Sequence, residues 1–428
     1  MKNTDRAKKI LMSNAVDLIP DEKIHDGPRH GGVFSGYTVM AKSLLGSGML
    51  SIAFACSKAG LILGLILLLF AAVVTWISLH VLSKLCLEFN SDNLTFYSMT
   101  ERIVPRAKWF LDVAIIVDCV GSAIGFLQMI GKLMTLGISE IFGWGPFNQR
   151  TMSILIESCF VLLLFPICLM REISDTKVVN LLGLACLFYV SLLPIIFSDV
   201  SSFDPEVLYP KGPWSAISAF PVFVFAFSCQ QNLLSVVTEM KSPDIKKLNM
   251  VTLGAIGTGI IFYLPVTILP VLTFGRPKDE KDTFLQLLDQ SNLAVQIGFF
   301  CASLAVAISY VLIVHPVRKS IMSLMYGSDF PVGKQEFKVR LILTTAIMVV
   351  TLGVALAAGS TLGPTVEFTA LLGATTCGFV MPFFLYLKHF GYSSKSAMSV
   401  TVAALFLFCL LLSPLGITAS ILGILKID

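Results

Sequence analysis

The chain has 428 residues, 55% of them hydrophobic and only 14% charged, with a formal net charge of +4. A soluble protein carries about 25% charged residues, so a water-surrounded globular fold is excluded and a polytopic membrane protein follows. The small positive balance gives no reason to invoke nucleic acid, since basic residues in such a chain gather in cytoplasmic loops.

Residues 1–35 include Lys2, Asp5, Arg6, Lys8, Lys9, Asp21, Glu22 and Lys23, too many charges for a signal peptide. They read as a flexible cytoplasmic tail. Residues 36–428 then form one all-α transmembrane domain. A membrane helix needs about 20 apolar residues. The apolar runs that meet this fall at 36–57, 61–86, 107–137, 151–170, 178–198, 213–239, 248–274, 291–315, 338–358, 362–387 and 396–424, which predicts eleven spans. All ten cysteines lie inside these runs, so no structural disulfide is expected and each thiol packs as a small hydrophobe.

Lysine and arginine set the orientation. With the N-terminus inside, 22 of them fall in cytoplasmic segments and 7 in outer ones, leaving Lys42 and Lys132 within spans. That asymmetry places the N-terminus in the cytoplasm. The sequon at Asn93 then faces the cytoplasm and is predicted to stay unglycosylated.

Two spans interrupt their own helical pattern. Span 1 does so at LLGSGML, where Gly46, Ser47 and Gly48 run together. Span 6 does so at FAFSCQQNLL, residues 225–234. A pair of interruptions five spans apart points to a transporter built from repeated halves, in which unwound backbone lines a ligand cavity. An unwound turn bares N–H groups at one half-helix start and C=O groups at the other half-helix end. An amino acid zwitterion satisfies both: its carboxylate takes N–H groups near Gly46, Ser47 and Gly48, and its ammonium takes the freed carbonyls. The bland alternative is that small residues at 46–48 only let helices pack closely. The second interruption weighs against it.

SLLGSGMLSIAFACSKAG resembles the first-helix signature of the amino acid/auxin permease family, and FAFSCQQNLLSVVTEM resembles its sixth. CVGSAIGFLQMIGKLM, residues 119–134, is similar to its third helix. SYVLIVHPVRKSI, residues 309–321, is similar to the end of its eighth, especially in vacuolar amino acid transporters, and the chain as a whole resembles vacuolar and sodium-coupled neutral amino acid transporters. The resemblance implies a LeuT-type 5+5 inverted repeat. Residues 36–198 form the first repeat, 213–387 the second and 396–424 an extra helix, with helices 1 and 6 interrupted. It also implies secondary active transport of amino acids driven by H⁺ or Na⁺, with no other cofactor. The substrate residues it implies are Ser43, Gly46, Ser47, Gly48, Ser122, Phe126, Phe225, Phe227, Ser228, Gln230 and Asn232. The chain departs from the family pattern at Lys42, where sodium-coupled members carry asparagine. It departs also at Ala53 for proline, Gln230 for histidine and Phe126 for tyrosine.

Lys42 is the sharpest residue in the chain. A lysine at mid-bilayer costs about 2.5–3.5 kcal/mol on insertion scales, so it is functional by default. Snorkelling to the inner surface is the alternative. The stronger reading puts its ammonium where Na⁺ would bind, near Ser309 and Ser303 of span 8. There it replaces the sodium ion or exchanges a proton. If the carrier is instead Na⁺-coupled, the ion belongs near Ser309; no other metal site is expected. Asp118 shares one face with Ser122 and Phe126 at i, i+4, i+8. It is read as a counter-charge to Lys42 or as a seat for a cationic substrate side chain. Glu239, Gln231 and Lys132 carry weaker signals.

Enzyme readings find no support in motifs: HExxH, a Walker loop, CxxC and GxSxG are all missing. Asp112 and Asp118 lie on one span, the wrong arrangement for an aspartyl protease. The expectation is therefore an amino acid carrier, H⁺-coupled or Na⁺-independent, for neutral substrates. It would be sufficient as a monomer and sit in a vacuolar, lysosomal or plasma membrane. Its rivals are a Na⁺-coupled symporter and an amino acid receptor with the same fold.

Overall fold

The computed structural model describes residues 31–424 except Ser47, 90–93, 143–148, 202, 211, 277–282, 328–329, 359–372 and 395. Side chains at 213, 214, 216, 218 and 412–424 are also outside the description. Ser47, the sequon Asn93 and the first 30 residues therefore carry no structural account.

Span 1 is two helices, α1 (Val33–Leu44) and α2 (Gly48–Ala59), bent by 46° at the glycine turn. Then come α3 (Leu61–Glu88), a short α4 (Phe96–Ile103), α5 (Phe110–Phe142), α6 (Gln149–Cys168) and α7 (Lys177–Phe197). Span 6 is again two helices, α8 (Pro213–Ala226) and α9 (Gln230–Glu239), with Phe227, Ser228 and Cys229 non-helical between them. The remainder is α10 (Ile245–Phe274), α11 (Leu293–Tyr326), α12 (Gly333–Ala358), α13 (Met381–Phe390) and α14 (Ala397–Ile424). A π-helical stretch, Thr376–Val380, leads into α13.

Eight segments among the described residues are long and apolar enough to cross a membrane, nine if α1 and α2 count as one bent span. Part of the tenth expected span, 362–387, lies outside the description. Two expectations need amending. Span 8 runs to Tyr326 as helix, well past residue 315. The loop after span 2 contains α4, whose start is fixed by reciprocal Thr95–Ser98 capping. Asp244 likewise caps α10, accepting the backbone N–H groups of Lys247 and Lys246, which hold its carboxyl below the ordinary range.

Burial separates core from periphery. The span at Ala219–Glu239 is 83% buried and Leu293–Tyr326 is 78%, while those of α6 and α12 are only 28%. On α6 and α12 the outward residues are Leu155, Leu162, Leu163, Val349, Val350 and Val354, a surface suited to lipid. Inside, α11 packs on α5 and α7, α1 packs on α10, and α2 packs on α8. The two broken helices thus sit in the middle of the bundle.

The end where α1 begins is tightly closed. Gly31 exchanges backbone hydrogen bonds with Glu239 (2.9 Å) and Lys241 (2.8 Å). The Glu239 carboxylate accepts the N–H groups of Ile173 (3.1 Å) and Ser174 (2.7 Å). Arg318 donates to the carbonyls of Cys168 and Met170, and Lys319 to Ser235. Glu239 is therefore a strut between helix ends, not merely a solvated terminus.

Candidate functional site

Glycine shapes the first break. A Cβ on Gly48 would lie 2.7 Å from Ala226 Cα, so the start of α2 passes directly over the end of α8. At Gly46 a Cβ would stand 3.6 Å from both Phe126 Cζ and Ser309 Oγ. The break therefore faces α5 on one side and α11 on the other.

Between them is a small cavity. It is lined by the predicted residues Ser43, Gly46, Gly48, Asp118, Ser122, Phe126, Phe225, Ser228, Asn232 and Ser309. Leu44, Gln231, Leu312 and Ile313 complete the wall. Asn232 Nδ2 donates to Ser43 Oγ at 2.7 Å, linking the two broken helices. Ser228 Oγ, Gln231 Oε1, Asn232 Oδ1 and Asp118 Oδ1 are buried without a hydrogen-bond partner among the described residues. Buried polar atoms without partners call for an explanation, and four of them gather around this one cavity.

Lys42 is completely buried and does not snorkel. Its Nζ donates to Leu45 O at 2.9 Å and to Ser309 Oγ at 2.5 Å. Its stem passes over Gly183 of α7, where any side chain would collide with Lys42 Cε. The ammonium thus sits at the carbonyl end of α1, where the helix dipole favours a cation.

Three predicted site residues are placed elsewhere. Phe227 turns away from the cavity and packs edge-on against Tyr263 at 5.1 Å, because the non-helical turn resets the phase after Phe225. Gln230 is absent from the cavity lining; its Oε1 accepts from Cys229 N at 2.9 Å, its Nε2 has no hydrogen-bond partner among the described residues, and it lies against Gly378. Ser303 donates back to Phe299 O at 2.7 Å; six residues before Ser309, it lies about 240° away around α11. The pairing of Lys42 with Asp118 is also absent among the described residues. Asp118 instead abuts Gly373. Lys132 and Glu157 line a separate cleft between α5, α6 and α12.

Sequence reasoning missed Tyr263. This fully buried α10 residue reaches both breaks, with its hydroxyl 2.8 Å from Leu44 O and 2.5 Å from Ala226 O. Those are the last carbonyls of α1 and α8. The available signal was a lone phenol in an apolar run, which when buried must find a partner.

Comparison with known proteins follows this geometry. The profile of the transmembrane amino acid transporter protein family matches residues 29–426. The chain belongs to that family. Among similar proteins is vacuolar amino acid transporter 5 of Schizosaccharomyces pombe, 26% identical, covering 83% of this chain and 84% of the relative. Another is a putative sodium-coupled neutral amino acid transporter 11 of Danio rerio, 25% identical over 85% and 81% of the two chains. A third, the amino acid transporter AVT6E of Arabidopsis thaliana, is 23% identical over 93% and 84%. The fold is similar to the crystal structure of MhsT in complex with L-phenylalanine, with a TM-score of 0.59 at 13% identity, covering 88% of this chain and 98% of MhsT. Family membership makes this a membrane-embedded amino acid transporter and not an enzyme.

Proposed function

We propose that this family member is a secondary active carrier that moves amino acids by alternating access, without sodium and driven by protons. The observation that carries the reading is the cluster of unpartnered polar atoms on Asp118, Ser228, Gln231 and Asn232, gathered where two helices break. The N–H groups opening α2 suit the substrate carboxylate, and the polar atoms of the α8–α9 turn suit its ammonium. Leu44 O accepts from both Tyr263 and the Gly46 N–H (3.1 Å), whereas Ala226 O accepts from Tyr263 and keeps a second lone pair. Phe126, Phe225, Leu44, Leu312 and Ile313 give the apolar wall that mid-sized neutral side chains need.

Sodium independence is supported by Lys42. Its ammonium fills the position between the α1 carbonyl end and Ser309 that a coupling cation would take. The eleven-span, 5+5 arrangement is supported by the two central breaks, five spans apart. The N-terminus is read as cytoplasmic, from the lysine and arginine distribution. The names of the vacuolar relatives support a vacuolar or lysosomal membrane. A monomer contains the whole cavity.

The test is uptake of labelled amino acids into proteoliposomes under a pH gradient without Na⁺, against a Na⁺ gradient at constant pH. Uptake in the first arm alone is expected. Uptake confined to the second would sink sodium independence, and binding without flux in either would favour a receptor.

A further inference from the structure

Asp118 is the only charged side chain among the described residues that line the cavity. It is 2% exposed, and its Oδ1 has no hydrogen-bond partner among the described residues. Its neighbours supply no positive charge. Gly373 presses against it from the segment before α13, with no room for a Cβ. The titratable groups that feel its charge include the thiols of Cys119 and Cys377. Asp112, two turns earlier on α5, is bonded to Ser320. Lys42 spends its donors on Leu45 and Ser309. A buried carboxylate with no counter-ion is a costly arrangement, relieved either by taking up a proton or by a cation that reaches it.

The spacing along α5 shows which cation fits. Gly46, at the break, lies against the tip of the Phe126 ring. On a helix, aromatic side chains lean back toward the N-terminus, so this tip covers the turn of Ser122. Asp118 is one further turn along the same face, about 6 Å from Ser122 and about 12 Å from Phe126 along the axis. A substrate held by its head group at Gly46 therefore has Asp118 about 6–12 Å away. An extended lysine places Nζ about 6 Å from its Cα, and arginine reaches slightly further. The apolar lining of Leu312 and Ile313 suits the methylene stem of such a side chain.

We infer that the carrier accepts amino acids with cationic side chains, lysine and arginine in kind, with Asp118 receiving the side-chain ammonium or guanidinium. The inference rests on the transport reading above and assigns the substrate class of the same cavity. Ser122 lies beside the stem, and Asp118 is the specificity-determining residue.

The experiment uses the full chain in proteoliposomes, with labelled L-lysine and labelled L-leucine as probes. Unlabelled L-lysine and Nε-acetyl-L-lysine serve as competitors. The acetylated analogue keeps the stem and loses the charge. Lysine uptake is expected, with the acetylated analogue competing at least about tenfold less well. Asp118→Asn is expected to lower the ratio of lysine to leucine uptake at least about tenfold, and Asp118→Glu to retain most of it. Leucine uptake with neither entry of nor competition by lysine overturns the inference while leaving the transport reading intact. An unchanged ratio in Asp118→Asn also overturns it. If that variant fails to fold, the lysine and acetyl-lysine comparison on the unaltered protein decides. No uptake of any amino acid removes the transport reading and this inference together.

Discussion

Replacing Tyr263 with phenylalanine removes one hydroxyl and little else. The ring stays packed edge-on against Phe227, so no cavity opens. Among the described residues, the lost group is the only side-chain donor to the final carbonyls of both α1 and α8. One hydroxyl proton serves one carbonyl at a time, so the net bond is worth about 1 kcal/mol, and leaving a buried carbonyl unmet raises the cost to about 1–3 kcal/mol. That energy stabilises the arrangement in which both half-helices are pinned beside the cavity. If substrate binds that arrangement, its apparent affinity should weaken by about 5- to 150-fold. The assay is the KM for uptake in proteoliposomes. Tyr37→Phe is the control, since Tyr37 donates to or accepts from Thr258 at 2.9 Å without touching either break. A KM for Tyr263→Phe equal to that of the control would refute the clamp.

Further expectations are as concrete. Lys42→Met keeps the stem but leaves Leu45 O and Ser309 Oγ without their shared donor, so proton-driven uptake should fall at least about tenfold. Lys42→Arg should not restore that uptake, because Gly183 leaves no room for a planar guanidinium beside α7. Gly48→Ala pushes a methyl into Ala226 backbone and should cost about 1–3 kcal/mol through overpacking, read as a lower melting temperature in detergent. Glu239→Gln weakens the strut onto Ile173 and Ser174; alkylation of a Ser35→Cys reporter should become faster, and an unchanged rate counts against Glu239 as part of the closure.

The two breaks were legible because they carry their chemistry in the letters. Gly46 and Gly48 weaken a helix, and Ser228 to Asn232 is too polar for a plain span. Lys42 was legible as the only charge in its span. What failed was phase. A helix advances 100° per residue, so faces can be read along Asp118, Ser122 and Phe126, all of which do line the cavity. Across a break that arithmetic stops. Phe225 and Phe227 were treated alike, yet only Phe225 lines the cavity. Gln230 and Gln231 were likewise inverted in importance. Ser303 failed for a different reason: a helical serine can satisfy itself on the preceding turn and needs no neighbour. Tyr263 was hidden because its partners are backbone carbonyls, which exist at every residue and become special only where a helix ends.

Lys42 and Tyr263 together bear on how the cycle is driven. Leu44 and Leu45 are adjacent carbonyls at the frayed end of α1; one accepts from α10 through Tyr263, the other from α1's own lysine, which also binds α11. In an ion-coupled carrier such carbonyls gain and lose a cation on every turn, and that exchange transmits the gradient. Here the positions are filled by side chains that cannot dissociate. Under the proposed reading, the gradient acts instead through the substrate and a proton. It follows that uptake at a fixed pH gradient should be unchanged when choline replaces Na⁺ on both sides of the membrane. A KM that tightens with Na⁺ would mean that the ammonium of Lys42 leaves its carbonyl during transport, and that the resident cation is a plug, not a substitute.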